Sequence, residues 1–266
     1  MVRDNTSLKD SDVGDRPRIP AAAIAMLRQR PGVASTVADA QAEMILNHDL
    51  APGTRLVQAE VMEWFNVSRI AVRDALSMLA KTGLAVEGHG RSMFVQDVST
   101  ESIRQILEVR VALEVLAARK ACQRMSDRDF ENLRVVLVEQ EQIIRDGQTD
   151  RFPSVERRFH ELIYEHADNR VLVELLGPLE LRFRQAVSLA QIHSEGEVNG
   201  LAWVQESLTR HRRIVEALRT RNGDLAAEVV SQCLNEASMR LLTMLAPVAG
   251  APTATINPTD PPSAPR

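Results

Sequence analysis

The sequence predicts a mainly α-helical protein in two parts. A small α+β unit occupies residues 33–98 and an all-α antiparallel bundle occupies 99–247, with arms at 1–32 and 248–266. Three observations carry this reading. Residues 34–98 alternate short apolar-striped segments with turn residues and close on a glycine-rich pair of strand-like runs. Residues 99–246 place apolar side chains three and four apart, as in Ile103, Ile106 and Leu107, then Leu113, Leu116 and Ala117, the spacing of helices buried on one face. Both ends lack core formers: the first 18 residues are polar, and the tail from Ala249 (AGAPTATINPTDPPSAPR) is rich in Pro, Ala and Thr. Such compositions bury too little apolar area to offset the entropy of ordering, so both arms are expected to be flexible.

In chain order, a short helix is expected over Ala21–Arg30, stopping at Pro31-Gly32. Thr36–Asn47 reads as a helix with Val37, Ala40, Met44 and Ile45 on one side. "LAPGTRL" is a turn built on Pro52-Gly53, and Gln58–Phe65 a second short helix. In "NVSRIAVRDALSMLAKTGL", Ser68 can cap a third helix whose Val72, Ala75, Leu76 and Leu79 pack inward. "LAVEGHGRSMFVQD" then reads as two strands around Gly88-His89-Gly90. Helix, turn, helix and hairpin in that order make a winged helix-turn-helix. In the bundle, helix starts are expected at Thr100, Asp127 and Asn222-Gly223, with Asn169 as a further cap. Pro153 and Pro178 are expected to break it.

Composition narrows the function. A net charge of −4 gives no global basic footprint, which excludes coating nucleic acid through bulk charge. A local reader remains open: over residues 67–91, Arg69, Arg73, Lys81 and Arg91 face only Asp74 and Glu87. Aromatics are 3% of the chain, too few for a single-strand stacking platform. Two cysteines imply no disulfide framework. No apolar run reaches the roughly 20 residues of a membrane span, and the N-terminus lacks a signal-peptide core, so a cytoplasmic protein is expected.

A recognition helix enters the DNA major groove with its N-terminal residues toward the bases. Arg69 and Arg73, four apart, project from the first turns of the third helix, while His89 and Arg91 stand on the wing. Double-stranded DNA is the partner this arrangement suits, read by a homodimer because one winged helix spans only a few base pairs.

In the bundle, "FHELIYEH" nearly spells HExxH, the zinc-hydrolase signature. The second histidine is missing: Tyr164 stands in its place. Glu156 and His160, four apart, share a helix face, whereas Glu161 and His166 leave it.

"LAPGTRL…NVSRIAVRDALSMLAKTGL…MFV" resembles the winged-helix domain of GntR-family bacterial transcription regulators. The resemblance implies operator contacts by Arg55, Ser68, Arg69 and Arg73. The chain departs from the family's pattern at Ile70, Ala71 and Ser92, where a small polar residue, Pro and Gly are usual. The stretches "ILEVRVALEVLAARKA", "ERRFHELIYEHADNRVLVELL" and "ESLTRHRRIVEALRTRNGDLAAEVVSQCL" resemble the FCD effector domain of the FadR-like subfamily, in its shorter six-helix, VanR-like variety.

That resemblance implies a metal set of one Asp and three His, which here becomes Glu156, His160, His211 and Cys233. The altered set still suits one zinc ion per chain. The alternative is a decayed site, with Cys233 a buried apolar residue. The resemblance also implies a small carboxylate effector. Arg110, on the apolar stripe, is its first candidate partner, with Arg182 and Arg184 further ones. The implied function is a DNA-binding transcription regulator, a repressor relieved by effector, and not an enzyme. Rival readings are a metal-dependent hydrolase centred on His160, which lacks its second histidine, and a structural helical protein, which leaves the winged-helix pattern unexplained.

Overall fold

The computed structural model describes residues 32–193 and 197–246. The helix expected over Ala21–Arg30 and the tail from Ala249 lie outside the described residues.

The head begins with α1 (Val33–Leu46), whose inner face carries Val37, Ala40, Met44 and Ile45. A turn follows in which the Thr54 N–H donates to Ala51 O (3.1 Å) and Gly53 takes φ 79°. A positive φ at the third position of a Pro-led turn selects glycine. The chain then forms β1 (Arg55–Leu56), α2 (Gln58–Phe65) and α3 (Arg69–Lys81). Asn66 ends α2 in the left-handed conformation, φ 50°, and Ser68 caps α3 by accepting from the Ala71 N–H at 3.3 Å. The wing is β2 (Ala85–Glu87) and β3 (Met93–Val95), joined by a 3-10 turn at His89–Arg91.

The sheet has three strands in the order β1-β3-β2, all antiparallel, with Arg55 opposite Phe94 and Val86 opposite Phe94 on the other side. The two-residue strand β1 was not expected; a run that short has no alternation to read. At Gly88 an added Cβ would lie 2.6 Å from the Phe94 ring, so glycine is required for the wing to fold over that ring.

The bundle comprises six helices among the described residues: α4 (Thr100–Ala121), α5 (Asp127–Arg145), α6 (Phe152–Glu165), α7 (Arg170–His193), α8 (Glu197–Arg219) and α9 (Gly223–Leu245). Ser126 and Asp129 form a reciprocal capping box at the start of α5, and Asn222 caps α9 through the Asp224 and Leu225 N–H groups. Asn169 accepts from the Leu172 N–H at 3.2 Å, as its expected capping role requires. Pro153 sits in the first turn of α6, where its missing N–H costs nothing. The break expected at Pro178 does not occur: α7 runs through it, because packing of the surrounding helices outweighs one lost backbone bond.

Two buried apolar clusters result. One contains Met44, Ile45, Val61, Val72, Leu76 and Leu79 of the head, and the other spans Ile103, Leu133, Phe159, Leu172, Leu218 and Leu241 of the bundle. α9 lies along α4, α4 along α7, and α5 against α6 and α8. Leu181 of α7 reaches into the head's cluster. No helix among the described residues is long and apolar enough to cross a membrane.

Candidate functional site

On the head, Ser68, Arg69 and Arg73 are exposed over the first turns of α3, as expected for groups that must reach a groove. Ile70 stands among them, 65% exposed. Arg73 pairs loosely with Asp74 (3.5 Å) in open solvent, an interaction worth little. Arg55 is exposed beside the wing and donates to Ser92 Oγ at 3.0 Å. The serine that replaces the usual glycine therefore holds this arginine. His89 is exposed on the 3-10 turn; the side chain of Arg91 lies outside the described residues.

Inside the bundle, a cavity of about 30 Å³ is lined by Arg110, Glu156, His160, Arg210, His211 and Cys233, among others. That is room for a water molecule or an ion, not for an organic acid. Potential ligand atoms of Glu156, His160 and His211 all lie within 4.8 Å of one another. Spacing on α6 places the first two together, and α8 delivers the third. His211 stacks on Phe159 (4.1 Å between ring centres), and its Nδ1–H donates to Gln140 Oε1 at 2.9 Å, leaving Nε2 with its lone pair. Burial, with His160 and Arg210 nearby, holds His211 well below the usual histidine range. Burial pushes the Glu156 carboxyl up, partly offset by His160, while Ser207 donates to its Oε1 at 3.1 Å. A neutral imidazole fixed by an outer hydrogen bond, beside a second imidazole and a carboxylate, is the donor chemistry a divalent transition metal requires. The residues present fit such an ion.

Three expectations need correction. Cys233 lines the cavity but lies outside the ligand cluster: its thiol points to the Arg210 carbonyl at 3.8 Å, and burial pushes the thiol up. Arg182 is buried but faces away from the cavity, donating to Gly83 O (2.9 Å) and Asp97 O (3.2 Å) of the head. Arg184 also turns to the head, 3.9 Å from Glu43. A helix of 3.6 residues per turn cannot point Arg182 and Phe183 the same way, and Phe183 took the cavity side. Glu161 and His166 stand apart as expected: Glu161 meets Arg157 (3.7 Å), and His166 meets Leu162 O and Asp129.

Arg110 is in the cavity wall as expected, but it is already engaged. Its Nη2 lies 2.7 Å from Glu114 Oε1 and 3.6 Å from Glu180 Oε2, and its guanidinium sits 4.0 Å over the Phe183 ring. Burial alone would depress this arginine; Glu114, Glu180 and Tyr164 override it and raise it further. Sequence reasoning missed Glu114, Gln140, Glu180 and Arg210. Glu114 could have been found, four residues after Arg110 on the same stripe; Gln140 and Glu180 left no comparable signal.

Comparison with known proteins now bears on this geometry. Residues 33–95 match the family model for bacterial regulatory proteins of the gntR family, and residues 105–236 match the FCD domain. The chain belongs to the GntR family. Within this family it is similar to the HTH-type transcriptional repressor RspR of Escherichia coli, 29% identical over 71% of this chain and 80% of that one. It is also similar to the HTH-type regulator YdhC of Bacillus subtilis, at 26% identity over 71% and 81% of the two chains. The solved structure of E. coli McbR has the same fold, with a TM-score of 0.68 at 18% identity, covering 80% of this chain and 99% of that one. This GntR-family chain is a DNA-binding transcription regulator with an FCD effector domain, not an enzyme.

Proposed function

We propose that this GntR regulator is a repressor whose operator affinity falls when a small carboxylate metabolite enters the bundle cavity. One observation carries the sensing half: the buried constellation of Glu156, His160 and His211 beside the guanidinium groups of Arg110 and Arg210. Buried charge on this scale costs stability even when paired, and a carboxylate is the ligand that buried guanidinium groups match. The name of RspR, a repressor, supports the sign of regulation.

Glu156, His160 and His211 would hold one divalent ion. Zinc leads, since three nitrogen and oxygen ligands with open positions suit it. A bound ion would act as a Lewis acid toward a carboxylate oxygen. Arg210 donates to Ser207 Oγ at 3.1 Å, lies 3.8 Å from Glu206 and sits 5.5 Å over the Trp203 ring; with Arg110 it would offer the acid a guanidinium.

On the head, residues 33–98, operator DNA would be gripped by Arg55, Ser68, Arg69, Arg73, His89 and Arg91. The regulator would work as a cytoplasmic homodimer, matching two-fold operators. Exposed Val109 and Leu116 on α4 and Val171 and Leu175 on α7 offer apolar surface for self-association. The test is a thermal-shift screen of small carboxylic acids on metal-loaded protein, followed by DNA binding with each hit. An acid that raises the melting temperature and weakens DNA binding is expected; a complete absence of hits refutes the effector class.

A further inference from the structure

Helix α7 touches both halves of the molecule within a single turn. Glu180 faces the bundle interior, 3.6 Å from Nη2 of Arg110, a residue of the cavity wall. Arg182 faces the head. Two residues are about 200° apart around a helix, so these side chains take opposite sides of it. Arg182 is only 7% exposed, and its guanidinium donates to Gly83 O and Asp97 O. These carbonyls flank the wing: Gly83 leaves α3, and Asp97 follows β3. One side chain thus closes the base of the hairpin and fixes the end of the recognition helix. Gly83 takes φ 76°, a left-handed conformation that favours glycine, and so turns the segment carrying its carbonyl out of α3 beside Arg182. Further along α7, Gln185 Nε2 donates to Gln96 O at 3.0 Å. Ser188 donates to Leu46 O at 2.6 Å and accepts from His48 Nε2 at 2.9 Å. Leu181 completes the joint by packing against the head's core.

On the bundle side of α7, Glu180 is the looser of the two carboxylate partners of Arg110. Glu114 Oε1 sits 2.7 Å from Arg110 Nη2 and Glu180 Oε2 3.6 Å from it, and neither buried oxygen has a well-formed hydrogen bond. Coulombic attraction weakens with separation, so at 3.6 Å against 2.7 Å Glu180 is the more weakly held of the two carboxylates.

We propose that Arg182 is the positioning residue that sets the recognition helix and wing, and that Glu180 reports the state of the cavity to it through α7. This rests on the reading that an acid enters the cavity. The acid's carboxylate competes with Glu180 for Arg110, repels it, and shifts the turn of α7 that carries Arg182.

The coupling can be measured without any effector, using full-length protein and a duplex enriched from a random pool by the wild type. Glu180→Gln removes the Arg110 attraction and imitates the acid. It is expected to weaken DNA binding about tenfold, within the usual range of allosteric coupling, and to speed amide hydrogen exchange selectively over residues 82–98. Arg182→Lys keeps the charge but loses the two-pronged grip, and should weaken binding similarly. In the Arg182→Lys background, Glu180→Gln should then change affinity less than twofold. Additive effects of the two substitutions would overturn the proposal. So would unchanged exchange over 82–98, or exchange raised equally in every helix. Gln185→Ala, a milder cut in the same joint, should raise exchange at 82–98 on its own if Arg182→Lys folds poorly; no rise there would also overturn it. Failure of the effector reading looks different: no acid shifts the melting temperature while the coupling persists.

Discussion

Gln140 on α5 and His211 on α8 meet in the interior, with the imidazole Nδ1–H donating to the amide oxygen at 2.9 Å. That bond decides which nitrogen can serve as a ligand: Nε2. Removing an outer partner of this kind typically costs about 10–100-fold in metal affinity. Gln140→Leu should therefore weaken zinc binding by that range in a competition titration with a chromophoric chelator, with the fold intact by circular dichroism.

Elemental analysis separates the three-residue site from the four-residue one. Purified protein should carry near one divalent ion per chain, lost when His160→Ala and His211→Ala are combined. Cys233→Ser should retain it, because the thiol lies outside the ligand cluster. Loss of metal in Cys233→Ser would return the sulfur to the site.

This is also where the sequence was least informative. The pairing of Glu156 with His160 is local, set by one helical turn, and could be read directly. Whether Cys233 reached the ligand cluster, and whether Arg182 faced the cavity, depended on how α9 and α7 rotate against their neighbours, and flanking residues do not encode that rotation. The head was legible almost throughout, since its caps, turns and inward stripes are all local: Ser68, Gly53 and the stripe from Val72 to Leu79 each appear where expected.

The buried state of His211 predicts a pH dependence for the chelator-treated protein. Its folded-state affinity for protons is lower than the unfolded chain's. Below about pH 6.5 the unfolded state takes up a proton that the folded state refuses, so stability falls as pH drops and levels off above that value. Melting temperatures between pH 5.5 and 7.5 should show this slope, and His211→Asn should flatten it.

Arg110→Ala would leave Glu114 and Glu180 buried without their cation. Breaking one side of a buried ion pair costs about 3–5 kcal/mol. Urea denaturation should show a loss of that order, whereas the paired substitution Arg110→Met with Glu114→Leu should lose much less. Equal losses would mean that Glu114 is not the arginine's principal partner.

On the head, Arg69→Ala with Arg73→Ala should abolish preference for the enriched duplex in a shift assay while the fold persists. Ile70 offers no hydroxyl, and 65% of it is exposed among these arginines. An aliphatic side chain there suits a thymine methyl. Replacing thymines by uracil in the enriched duplex, one position at a time, should weaken binding at one site per half. Ile70→Thr should be insensitive to that replacement.

The cavity's 30 Å³ has a kinetic meaning. An organic acid is larger than that space, so on the proposed reading the lining side chains must move aside to admit it. The association rate of such an effector should climb with concentration and then level off at the rate of that rearrangement, which would set how quickly the regulator responds.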